Sequence, residues 1–128
     1  MLLFELFEPT EGVIRDFVKF ASSRLGLKKV PRIKIIKDVN FSHENHSFGY
    51  YSPEEHLIVT QIKHRQIVDI LRTLAHELVH ARQNLDGVLH SESGETGSPE
   101  ENEANSVAGV IMREYGKKRP ELFGRPPE

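Results

Sequence analysis

Leu74-Ala75-His76-Glu77-Leu78-Val79-His80 is the stretch whose reading decides the fold. Around it, from Gln61 to Asn84, the apolar residues Ile67, Ile70, Leu71, Leu74, Ala75 and Leu78 recur at three- and four-residue steps. That is the period of an amphipathic helix. Residues four apart lie on one face, one turn apart, so the imidazoles of His76 and His80 project together. Two neutral imidazoles so placed can share one Zn²⁺. Glu77, next to the first, can reach a water on that metal without being a ligand itself. A short motif of this kind also arises by chance, as two surface histidines of a helix. Here it lies on a strongly periodic helix, where the chemistry requires it, and a suitable third ligand follows.

The rest of the composition narrows the field. A chain of 128 residues suits one domain with a real core, here 1–116, with 117–128 expected as a flexible tail. Hydrophobic content of 38% and charged content of 28% are those of an ordinary globular protein. The formal net charge of -2 gives no overall field favouring nucleic acid or an anionic membrane. Cysteine is absent, which removes disulfides, Cys-ligated zinc and a thiol nucleophile. The opening residues have no basic run before their apolar part, which Glu5 and Glu8 interrupt. No signal peptide or membrane span is therefore expected, and a cytoplasmic location follows as an expectation.

Taken in order, Leu2 to Phe7 reads as a short strand or packing arm. A helix is expected from Thr10, its N-cap, to Gly26, burying Val13, Ile14, Phe17, Val18, Ala21 and Leu25. Ile33 and Ile35 alternate with Arg32 and Lys34, which predicts a strand over 30–37. His43 and His46 read as loop histidines, with no fixed geometry to make them ligands. Phe48–Tyr51 and His56–Thr60 read as two strands joined by a turn at 52–55. An exposed edge strand beside a metal site can bind an extended peptide through its main chain; equally, the hairpin can simply cover the helix. The stretch 85–97 carries Gly87, Gly94 and Gly97 and reads as a loop that contains His90.

Ser98-Pro99-Glu100-Glu101 places Ser at an N-cap, Pro at N1 and Glu at N3, the pattern of a capping box. The helix it starts is expected to run to about Tyr115 and stop at Gly116, with Ala104, Val107, Ala108, Ile111 and Tyr115 as its apolar stripe. Glu100 and Glu101 have an ordinary explanation as carboxylates favoured by the helix dipole. Glu103 stands one turn before Val107, at the stripe's edge, where a carboxylate needs a partner or a cation. It is the better candidate ligand.

The motif HELVH followed by a helix carrying Asn102-Glu103-Ala104 resembles the gluzincin metallopeptidases, in which the third zinc ligand is a downstream Glu commonly followed by Ala. The lead-in Leu74-Ala75 and the ENEAN stretch are also similar to the ImmA/IrrE-type peptidases and to the single-domain minigluzincins. The resemblance covers about residues 48 to 112 and is specific to the superfamily, not to a substrate. It implies an α+β, zincin-like fold: a small, mostly antiparallel sheet packed against the motif helix, with a downstream helix carrying the third ligand. It implies one Zn²⁺ held by His76, His80 and Glu103, and a zinc metallopeptidase acting on a peptide or protein substrate with Glu77 as general base. Several gluzincins orient the first His with an Asp four residues after the ligand Glu; this chain has Val107 there, leaving Asn105 or Asn102 for that role. His90, Tyr50 and Tyr115 stay open as the group stabilising the oxyanion.

Two other functions fit the same motif. One is a catalytically silent zincin-like domain that binds zinc for regulation. The other is a SprT-like DNA-associated protease, with His90 as third ligand, which the net charge and the lack of a basic stripe count against. Oligomeric state is not legible. The tail 117–128 contains Leu122-Phe123, which could fold back over the cleft as an autoinhibitory segment.

Overall fold

The computed structural model describes residues 10–41, 47–90, 93 and 95–124. Its elements are α1 (Thr10–Leu25), β1 (Arg32–Ile36), β2 (Gly49–Ser52), β3 (Leu57–Gln61), α2 (Ile67–Leu85), α3 (Pro99–Lys118) and a closing 3-10 turn, Pro120–Phe123. The mixture of helices with one small sheet is an α+β architecture. The expected arm at Leu2–Phe7 and the histidines His43 and His46 lie outside the described residues. No helix among the described residues is long and apolar enough to cross a membrane.

The sheet has the order β1-β3-β2. β2 and β3 form the expected antiparallel hairpin, Tyr50 opposite Val59 and Tyr51 opposite Ile58. β1, however, pairs with β3 in parallel, Ile33 opposite Ile58 and Ile35 opposite Thr60. The sheet is therefore mixed, and the expectation of a mostly antiparallel one is corrected. The reason is placement. β2 takes the far edge instead of lying between its sequence neighbours, so β1 meets the strand that runs its own way. Side chains of opposed residues share a face, so Ile33, Ile35, Ile58 and Tyr51 all turn to the helices and join the core.

That core is built from the stripes read in the sequence. Val13, Ile14, Phe17, Val18, Ala21 and Leu25 of α1 meet Ile70, Leu71, Leu74, Ala75, Leu78 and Val79 of α2, all buried. α3 adds Ala104, Ala108, Ile111, Met112 and Tyr115. Tyr115 sets its ring edge-on to Phe17 at 4.9 Å between centroids and donates its hydroxyl to Asp16 at 2.6 Å. That bond holds the Asp16 carboxyl below its ordinary range, against some desolvation.

Two glycines answer to geometry. α2 ends in a Schellman arrangement: Val88 N–H bonds to Gln83 C=O at 3.0 Å and Gly87 N–H to Asn84 C=O at 3.1 Å, with Gly87 at φ +77. Gly49 is needed for close approach. A Cβ there would sit 2.7 Å from the Val59 carbonyl and 3.0 Å from Thr73 Cγ2 of α2. Gly49→Ala is therefore expected to cost about 1–3 kcal/mol in urea unfolding, by forcing β2 away from the helix.

The C-terminal boundary also moves. Gly116 is buried inside α3 and does not stop it; the helix runs on to Lys118. The 3-10 turn then brings Leu122 and Phe123 onto the core, and Arg119 reaches Asp16 at 3.5 Å. Residues 117–124 are thus part of the packed domain, and a tail beginning at 117 is corrected; 125–128 lie outside the described residues. Leu122 and Phe123 are not among the residues lining the cleft described below.

Candidate metal centre

His76 and His80 stand one turn apart on α2, as their spacing requires, with ring centroids 4.8 Å apart and planes at 82°. Their Nε2 atoms approach to 3.2 Å. The third group is Glu101, not Glu103. Glu101 Oε1 lies 2.9 Å from His76 Nε2, and Oε2 lies 3.1 Å from His80 Nε2. The three ligand atoms all fall within 4.8 Å of one another, and no other such group could hold a metal among the described residues.

Helix geometry explains the exchange. Glu101 precedes Ala104 by three residues and Ala108 by seven, so it extends the buried stripe of α3 by one turn, straight toward α2. Glu103 lies two residues on, about 200° around the helix. Its side chain is 47% exposed, against 20% for Glu101. The capping reading was half right. Ser98 Oγ accepts from Glu101 N–H at 3.0 Å, but the Glu101 carboxylate faces the imidazoles instead of returning to the cap.

Glu103 supports the site at one remove, through Gln83. Gln83 is 1% exposed. Its amide nitrogen donates to Glu103 Oε1 at 2.8 Å and to the Glu100 carbonyl at 2.9 Å. Both donors being engaged there, Gln83 Oε1 is left as the acceptor facing His80 Nδ1, 2.7 Å away. In its neutral form His80 then carries its proton on Nδ1, and Nε2 presents a lone pair to Glu101 and His76. Asn105, one of the two asparagines expected near the first histidine, hydrogen-bonds His76. Burial pushes the His76 imidazole below its ordinary pKa, with the Glu101 charge opposing, so burial favours its neutral, metal-ready form. If the group holds a metal, Gln83→Leu is expected to weaken its binding about 10–100-fold in a chelator competition, because His80 loses its fixed orientation.

Glu77 stands next to this cluster and, with His76, lines the adjoining cleft. Its carboxyl is pushed up to about 8, by burial first and by the Glu101 charge second, and the Tyr51 backbone N–H bonded to it works the other way. That N–H belongs to the outer edge of β2, where Ser47 Oγ bonds the Gly49 N–H and carbonyl. Phe48 C=O accepts from Gln61 N–H at 2.8 Å, so alternation turns Tyr50 inward to β3 and leaves Gly49 and Tyr51 facing out. The cleft beside Glu77 holds about 680 Å³ and is lined by His76, Glu77, Phe48, Arg65, Thr73 and neighbours along the segment before α2.

The open candidates for a charge-stabilising group go elsewhere. His90 is 55% exposed and its Nε2 pairs with Glu100 Oε1, which also accepts from Ser93 Oγ at 2.9 Å. Tyr115 is committed to Asp16 in the core. Tyr50 stacks on Phe41 at 6.2 Å, on the face of β2 opposite Tyr51. Gln83 and the Tyr51 N–H were the residues missed. Gln83 stands three after His80, a helix neighbour by spacing alone, whereas the Tyr51 contact depends on strand order and has no local signature.

Comparison of the chain with protein-family models, with curated proteins and with solved structures gives no match.

Proposed function

We propose that the chain is a zinc-dependent metallopeptidase of gluzincin type on a zincin-like scaffold, with His76, His80 and Glu101 as ligands and Glu77 as general base. One observation carries this reading. The Nε2 atoms of His76 and His80 and the Glu101 carboxylate converge within 4.8 Å, with Gln83 Oε1 facing His80 Nδ1 on the far side of that ring. With both imidazoles neutral, acceptors crowded in this way favour a cation between them. Two nitrogens and one oxygen are a donor set suited to zinc, and three protein ligands leave a position open for chemistry.

Zinc held there would supply Lewis acidity, lowering the pKa of a coordinated water towards about 7 and polarising a carbonyl. The chain's own residues do the rest. Glu77 lies one residue from His76, beside the cleft. It takes a proton from the attacking water and passes it to the leaving amine as the C–N bond breaks. Its pKa of about 8 is set partly by the Glu101 charge, so neutralising Glu101 by coordination moves Glu77 towards the neutral range that suits a general base. The Tyr51 N–H keeps the carboxylate aimed into the cleft. Ser47 Oγ bonds both the Gly49 carbonyl, at 2.7 Å, and the Gly49 N–H, at 3.2 Å, and Glu77 takes the Tyr51 N–H. The outward main-chain group left for a peptide lying across Glu77 is therefore the Tyr51 carbonyl.

The test is hydrolysis of a mixed peptide library by zinc-loaded protein. Cleavage that stops with a chelator and returns with added zinc is the expected result. One zinc bound without turnover of any peptide would instead favour a silent, regulatory zinc domain.

A further inference from the structure

We infer that the cleft beside Glu77 contains a subsite for an acidic side chain of the substrate, so that this site takes peptides with Asp or Glu about three residues from the bond it cuts. The inference deepens the peptidase reading and rests on it. Three cationic side chains, Lys63, Arg65 and Arg72, line the cleft, against the carboxylates Asp69 and Glu77. Asp69 is matched by Arg72 at 3.2 Å. Lys63 has no ion-pair partner among the described residues.

Arg65 is built into place. Its guanidinium donates to the Gln61 carbonyl at 3.0 Å, to the Asp69 carbonyl at 2.9 Å and to Thr73 Oγ1 at 2.8 Å. It also lies over the Phe48 ring, 4.1 Å from the centroid. The groups it bonds are neutral, and the Asp69 carboxylate, itself paired with Arg72, acts on it without bonding it, so the guanidinium is held rigidly with donors to spare. A guanidinium has five N–H donors, and these bonds use three. The remaining donors and the Lys63 ammonium are what a carboxylate requires.

The distance along the chain gives the register. Glu77 is bonded to the Tyr51 N–H, while Arg65 covers Phe48. The separation is three strand residues, about 10 Å at roughly 3.3 Å each. A peptide extended through the cleft alongside β2, with its reacting bond at Glu77, therefore brings a side chain about three residues away onto Arg65 and Lys63. A cleft of about 680 Å³ accepts a few side chains. It does not offer the long basic stripe that a nucleic-acid backbone needs.

The probe is a set of fluorescein-labelled decapeptides of one neutral sequence, each carrying a single Glu at a successive position, beside the matched Gln set. Binding to zinc-loaded Glu77→Gln protein is read by fluorescence anisotropy. At one or two adjacent positions Glu is expected to bind about tenfold tighter than Gln, and roughly 0.5 M salt is expected to shrink that preference. Adding Lys63→Glu is expected to reverse it, so that Lys at the same position becomes the tighter binder. The Glu–Gln comparison needs no change in the subsite and stands even if Lys63→Glu fails to fold. Equal binding of every peptide would overturn the subsite and leave the peptidase reading intact. Absence of binding by any peptide would overturn both. Displacement of the Glu peptide by a short DNA oligonucleotide at lower concentration than by unlabelled Glu peptide would assign the basic residues to nucleic acid instead.

Discussion

Glu101→Ala will lower the zinc content of purified protein to near zero, whereas Glu103→Ala will leave about one zinc per chain. Both carboxylates stand at the N-terminal end of α3, and the two variants remove the same charge from the same helix, so a general electrostatic effect would act on both. They differ in geometry. Glu101 Oε1 and Oε2 lie 2.9 and 3.1 Å from the two imidazole Nε2 atoms, while Glu103 bonds the Gln83 amide at 2.8 Å. If zinc binding of roughly 10–16 kcal/mol in four-ligand sites is shared among the ligands, one ligand is worth about 3–4 kcal/mol, on the order of 10²–10³-fold in affinity. Losing Glu103 loosens Gln83 and its hold on His80, an effect of about tenfold at most. Metal analysis after dialysis separates these outcomes. Retention of zinc in Glu101→Ala together with its loss in Glu103→Ala would mean that the ligand set is wrong.

What the sequence made legible follows from the range of the signals. α1 and the start of α3 rest on local chemistry, an apolar stripe and the Ser98-Pro99 start, and both lie where those residues put them. His76 and His80 needed only helical periodicity. The parallel pairing of β1 with β3 depends on which strand takes the edge, a choice made by packing against α1 and α2, and no residue of β1 announces it. The confusion of Glu101 with Glu103 is of another kind. The stripe Ala104, Ala108, Ile111 and Tyr115, continued backwards by one turn, points at Glu101. The cap and the helix dipole also account for a carboxylate at Glu101, so two signals overlap at that residue. At the other end, Gly116 carries a common stop signal, but Tyr115, Arg119 and Phe123 have tertiary partners that carry the chain onward. Tertiary contact outweighed propensity there.

Glu77→Gln is expected to separate chemistry from stability in opposite directions. With zinc bound, the variant keeps its metal, because none of the three ligands changes, and loses about 10²–10⁴-fold in kcat for peptide hydrolysis, the usual worth of a positioned general base. Without metal, the same change stabilises the fold, and only at high pH. The Glu77 carboxyl has a folded pKa of about 8, raised from 4.5. Below pH 4.5 it is protonated both folded and unfolded and carries no penalty. Between 4.5 and 8 the folded state holds a proton that the unfolded chain has released, so stability falls as pH rises through this window. Above 8 the group is ionised in both states and the full penalty applies. Glutamine keeps the shape and the acceptor for the Tyr51 N–H but never ionises. Its advantage should therefore be near zero at pH 4.5 and grow to about 2–4 kcal/mol at pH 9, with the partial opening of Glu77 to the cleft keeping the gain below the full converted shift. Urea unfolding of chelator-treated wild type and variant across that range measures it. A pH-independent difference would show that burial and the Glu101 charge do not act on Glu77 as the geometry requires, even if catalysis were lost as expected.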